Sequence, residues 1–87
     1  MKKRLESAEY IENIGALLAQ YSFPNGDERE EYFFDRGQHC ILDIVKNRSG
    51  YEQYWSGDWE GIALVRQYNE QSIDNLSKAR QALKGGG

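Results

Sequence analysis

Over the first twenty-one residues apolar side chains recur at three- and four-residue steps, at Leu5, Ala8, Ile11, Ile14, Leu17, Leu18 and Tyr21. That spacing is the stripe of an amphipathic helix and predicts one from about residue 3 to 20. Residues 22–26 (SFPNG) then bring the only proline of the chain together with an Asn-Gly pair. The residue before a proline is pushed toward extended geometry, so the helix has to end by Phe23.

After this break the pattern changes. Residues 30–35 (EEYFFD) and 39–46 (HCILDIVK) are rich in aromatic and β-branched side chains and flank Arg36, Gly37 and Gln38. Two such runs around a glycine turn predict a β-hairpin. Alternation in the second run puts Cys40, Leu42 and Ile44 on one face, expected to be the core face. Ile41, Asp43 and Val45 share the other, a face only partly polar, as if something covers it. Residues 47–50 (NRSG) read as a further turn, and Tyr51 to Trp55 as a third short strand.

Beyond Trp55 two readings compete. Asp58 can cap a helix starting near residue 59, with a stripe of Ile62, Val65, Tyr68, Ile73, Leu76, Ala79 and Leu83 and a break near Asn69. Alternatively, residues 56–58 turn into a fourth strand over 62–68. The helix is the favoured reading, and residues 72–84 are helical on both. Lys78, Arg80 and Lys84 then sit near the negative end of its dipole. The expected fold is therefore α+β: helix, three-stranded antiparallel sheet and C-terminal helix, an αβββα order in one domain over residues 1–84, with a flexible glycine tail at 85–87. Glu30, Glu31, Lys46 and Glu52 are expected to discourage pairing at the edges of so small a sheet.

Composition narrows this picture. Eighty-seven residues with 39% apolar and 29% charged positions suit one folded domain with a thin stability margin. The single cysteine, Cys40, rules out an intramolecular disulfide and a cysteine-held zinc. No apolar run approaches the roughly 18 residues of a membrane span, and the opening MKKRLESAEYIEN lacks the apolar core of a secretory signal. A cytoplasmic protein is expected. The net charge of -3 conceals a gradient. Residues 27–61 hold four positive and nine negative side chains, and residues 62–87 hold four positive and two negative. Any phosphate contact would fall to the basic ends.

Chemistry is sparsely signalled. On an extended strand His39 and Asp43 lie about 13 Å apart and Cys40 points the other way, so they share neither an ion nor a proton relay. The glycines form no phosphate-cradling loop, and the only histidine has no nucleophile elbow beside it. No cofactor, metal or catalytic group is expected. Residues 27–31 (DEREE) lack the alternating ligands of a calcium loop and read as a solvated acidic segment or a surface for a basic partner. The predicted element order resembles that of small double-stranded-RNA-binding modules in layout alone, and residues 69–74 (NEQSID) lack their lysine-rich helix start. The terminal glycines resemble the tail of ubiquitin-like modifiers, and only there.

The densest feature is YEQYWSGDWEG, residues 51–61, with Tyr51, Tyr54, Trp55 and Trp59 among polar and glycine positions. Alternation prevents all of them from entering one core. Trp55 is expected to be buried, with Tyr54 and Trp59 at the surface, in the composition of a protein-binding hot spot. The expected function is a small acidic protein-binding module, an inhibitor of the immunity, antitoxin or mobile-element anti-defence kind, which blocks a partner with a basic surface. The expected contact residues are Tyr51, Tyr54, Asp58 and Trp59, with Asp27, Glu28, Glu30 and Glu31 steering the encounter. A homodimer seam is an equal use for the aromatics. The alternative is a nucleic-acid-contacting regulator using the basic termini.

Overall fold

The computed structural model describes residues 2–85. Its elements, in chain order, are β1 (Arg4–Ile11), β2 (Ala16–Ser22), β3 (Glu28–Phe34), β4 (His39–Asn47), β5 (Gly50–Gly57) and α1 (Trp59–Gly85). The strands form one antiparallel sheet in the order β1-β2-β3-β4-β5. Every connection within it is a hairpin. The class is α+β, with five strands where the hydrophobic pattern predicts three.

The added pair, β1 and β2, occupies the segment predicted as a helix. The stripe that suggests the helix is divided between the two faces of the sheet: register places Ile11 and Leu18 on one side and Leu5, Ala8, Leu17 and Tyr21 on the other, with Ile14 in the turn. Gly15 makes that turn, with a φ of 64°. Its N–H donates to the carbonyls of Ile11 at 3.0 Å and Glu12 at 3.2 Å. The left-handed conformation suits glycine because it carries no Cβ. The Asn25-Gly26 pair lies in the β2–β3 hairpin turn, where the Phe23 N–H reaches the Asp27 carbonyl at 2.9 Å. The resemblance in layout to double-stranded-RNA-binding modules goes with the first helix.

The next three strands lie where the pattern places them, and Gly37 takes its turn with a φ of 95°. Residues 62–68 are helical, so the fourth-strand alternative is excluded there, and α1 runs through Asn69 without a break. The edges of the sheet are β1 and β5. Glu30 and Glu31, on β3, and Lys46, on β4, lie inside the sheet and guard no edge, and of the four expected charges only Glu52 is on an edge strand.

Asp58 fixes the start of α1. Its carboxylate accepts the Gly61 N–H at 2.9 Å, its carbonyl accepts the Ile62 N–H at 2.9 Å, and its own N–H donates to the His39 carbonyl at 2.9 Å. These bonds cap the helix and tie it to the head of β4. From there α1 crosses one face of the sheet, hereafter the helix face. Ile62 and Val65 bury against Ala16, Leu18, Tyr32, Phe34 and Cys40, with Ile11, Ile14 and Trp55 packed around this core. The core is small, and only the first half of the helix contributes to it. Beyond Ser72 every described side chain of α1 is exposed. No helix among the described residues is long and apolar enough to cross a membrane. Residues 86–87 of the expected glycine tail lie outside the described residues, and the helix extends through Gly85.

Candidate functional site

Two surfaces stand out, one on each side of the sheet. The first is the face that α1 does not touch, hereafter the open face. Register aligns Tyr10, Leu17, Phe33 and His39 in one row across β1 to β4. Ala8, Ala19, Glu31 and Ile41 form the next, and Leu5, Tyr21, Arg29, Asp43 and Tyr54 a third that reaches β5. Leu5, Tyr10 and Tyr54 remain half exposed or more, and Leu17 and Phe33 about 40% exposed. The sequence leaves Ile41 and Val45 waiting for a cover, and among the described residues nothing covers this face.

Polar groups on the open face hold one another in place. Arg29 Nε donates to Asp43 Oδ1 at 2.6 Å, and its guanidinium also sits over the Phe23 ring. The ion pair with Asp43 holds the Arg29 pKa above its ordinary value. Glu31 is the one buried charged residue among those described. Lys3 reaches its Oε1 at 3.3 Å and rides over the Tyr21 ring, while His39 Nε2 stands 3.9 Å from Oε2 and the His39 ring stacks on Phe33. Tyr10 donates its hydroxyl to Asp35 at the rim, and Tyr54 donates to Glu52. These bonds raise the pKa of both phenols. The result is an apolar field in which Arg29, Asp43 and Glu31 are already engaged within the chain.

The second surface is a groove of about 650 Å³ on the helix face, between the uncovered part of the sheet and the flank of α1. Ile44, Tyr51 and Trp55 supply its apolar floor, and Arg66, Asn69 and Ile73 its helical wall. Glu9, Glu30 and Glu70 make it acidic. Glu30 accepts the Tyr32 hydroxyl at 2.7 Å and the Gln20 amide at 3.2 Å. Burial first, and that bond second, hold the Tyr32 phenol well above its ordinary pKa.

The predicted contact residues do not form one patch. Tyr51 and Glu30 line the groove, and Glu28 lies on the same face, paired with Lys46 at 3.1 Å. Tyr54 and Glu31 belong to the open face. Asp27 closes a turn, accepting the Lys46 backbone N–H at 3.1 Å and the Asn25 amide at 3.1 Å. Asp58 is taken up by capping. Trp59, 82% exposed, stands at the head of the helix, at the opposite end of β5 from Tyr51. Trp55 is half-buried against the core. His39 and Cys40 point to opposite faces, as alternation requires, and among the described residues no three of His, Cys, Asp and Glu are placed to hold a metal ion.

Sequence reasoning misses the surface residues of β1 and β2: a helical reading turns Leu5 and Leu17 into core and leaves Tyr10 outside the stripe, with no strand to align it. Phe33 carries the one available signal, an aromatic on the far side of a strand from Tyr32 and Phe34. Compared with protein-family models, with curated proteins and with solved structures, the chain matches none.

Proposed function

We propose that this protein acts by binding another protein through the open face of its sheet. The observation that carries this reading is the uncovered field of Leu5, Tyr10, Leu17, Phe33, Ile41 and Tyr54. A small domain gains stability by covering such a face, and contiguous exposed apolar surface marks contact sites. Tyr and Phe supply rigid contact area at little cost in side-chain entropy. A hydrogen-bonded sheet with no catalytic group assigned to it would act on a partner by occlusion, which supports the inhibitory reading: an immunity, antitoxin or anti-defence protein that blocks what it covers. The acidic net charge favours encounter with a basic partner. The nucleic-acid alternative draws less support, since Lys3 is engaged by Glu31, Arg4 lies beside Glu6 and Lys78 pairs with Asp74.

Photo-crosslinking in lysate of the native host tests the reading. A crosslinker at Leu17, Phe33 or Tyr54 should trap one common protein, whereas one at Leu64 should not. Leu17→Asp with Phe33→Asp should abolish the adduct. Adducts confined to Trp59 and Tyr51 would move the contact elsewhere, and adducts lost on nuclease treatment would favour the nucleic-acid alternative.

A further inference from the structure

The distal half of α1 is unexplained by the fold. Residues 73–85 continue the helix for about 20 Å past Ser72, the last side chain of α1 that is not exposed among those described. Helices of this length are marginal in water unless an amphipathic face is buried. Such a face is present and bare: Ile73, Leu76, Arg80 and Leu83 follow steps of three, four and three, with Ile73 69%, Leu76 60% and Leu83 80% exposed. Steps of this kind form a seam suited to a second helix.

Charge identifies that second helix. Along α1 the middle is acidic, with Glu70 and Asp74, and the end is basic, with Lys78 and Arg80. A parallel copy would set like against like. An antiparallel copy with Leu76 of each chain near the two-fold axis sets Arg80 of the seam opposite Ser72 of the other copy, two residues or about 3 Å of helix from its Glu70. In this register Leu83 of one copy lies beside Asn69 of the other, and Asn69 is on the wall of the groove. The groove is acidic through Glu9, Glu30 and Glu70 and apolar through Ile44, Tyr51 and Trp55, which complements a segment that is basic and apolar. The exposed Asp74–Lys78 pair within each helix, 3.2 Å long, lies away from this seam and stays within its own chain.

We propose that the protein is a two-fold homodimer in which the distal half of each α1 runs antiparallel to that of the other copy and lies in its helix-face groove. The same patch serves both copies, as an isologous interface requires. This surface is separate from the open face, so the inference does not depend on the proposed function.

Sedimentation velocity on the purified full chain, from low micromolar to near-millimolar concentration, tests it. The chain should sediment as a dimer. Ile73→Asp with Leu76→Asp should raise the dimer dissociation constant at least about 100-fold, the size expected for removing central anchors. Both side chains are exposed in the single chain, so circular dichroism and the melting profile of the dissociated variant should still show the sheet and helix. Glu70→Arg and Arg80→Glu should each weaken the dimer, and the two together should restore it, because residues ten apart on one helix meet only across copies. A monomer at every concentration overturns the proposal. So does a dimer indifferent to the aspartates, a charge pair without rescue, or a monomer whose Ile73 and Leu76 are covered by a different protein.

Discussion

Gly57 and Gly61 bracket the cap at Asp58, and each is glycine for a different reason. Gly57 has a φ of 107°, and a Cβ there would stand 2.5 Å from the His39 carbonyl oxygen and 2.8 Å from the Cys40 Cα. Both obstacles are backbone, so Gly57→Ala should lose at least about 3 kcal/mol in denaturant unfolding. Gly61 is ordinary helix, where alanine gains up to about 1 kcal/mol of propensity. Its Cβ would meet the buried Phe34 ring at 2.9 Å, and overpacking of about 1 to 3 kcal/mol outweighs that gain. Gly61→Ala should therefore destabilise by about 1 kcal/mol, and Asp58→Ala by a similar amount through loss of the cap.

Cys40 has a testable pH signature. Burial first, and Asp58 second, push its thiol from an ordinary value of 9.0 up to about 11. The folded chain keeps its proton in a range where the unfolded chain has released it. The contribution is fully present below pH 9 and is lost as pH rises toward 11. Tyr32 acts in the same direction from 10 upward, again through burial first. Unfolding free energy should fall above pH 9, at no more than about 1.4 kcal/mol per pH unit for each group. Urea titrations at pH 8, 9 and 10 check the slope. At pH 8 Cys40 should react with a thiol reagent only as fast as the chain opens.

Among the elements, the sequence is readable where one property dominates. β3, β4 and β5 are aromatic and β-branched runs separated by glycine turns, and α1 is announced by Asp58 and a sustained stripe. β1 and β2 fail this test for a physical reason. Their sheet has apolar side chains on both faces, so Leu17 and Leu18 are neighbours in sequence and opposites in space, and the alternation that marks a strand is lost. Residues 16–20 (ALLAQ) are good helix formers, so their strand is held by pairing with β1 and β3 against intrinsic preference. The usable clue is Gly15, which a helix has no need of and a hairpin turn does. The candidate surfaces are half legible for the same reason: the aromatics of β5 are conspicuous in sequence, but Tyr51 and Tyr54 face opposite ways, and half of the open face comes from the two strands that read as helix.

Helix α1 also carries a prediction at this scale. Its first half is locked by Ile62 and Val65, while its second half has no cover within one chain. Hydrogen exchange of amides 62–69 should follow global unfolding. Amides 74–83 should exchange rapidly in dilute protein and slow as concentration rises, since association is what buries them. In Ile73→Asp with Leu76→Asp the distal amides should stay fast at every concentration while the proximal ones are unchanged. Slow distal exchange in that variant would mean that the seam does not protect the helix.

For the whole molecule, the two surfaces differ in chemistry, and salt should separate them. The helix seam joins an acidic segment to a basic one, and exposed charges are screened over about 10 Å at 0.1 M salt. The open face is apolar, with Glu31, Arg29 and Asp43 already paired inside one chain, so a partner seated there is held by burial, which salt does not weaken. In the two-fold arrangement each helix face turns toward the axis and each open face away from it, so one dimer should take two partners. Raising sodium chloride should therefore convert a complex of two chains and two partners into complexes of one and one, with the affinity at each open face falling less than that of the dimer. Light scattering on the unmodified chain mixed with the partner that the Phe33 adduct identifies, across a salt series, reads both quantities at once. Loss of the partner before loss of the dimer would assign the charge-dependent contact to the open face and reverse the roles of the two sides of the sheet.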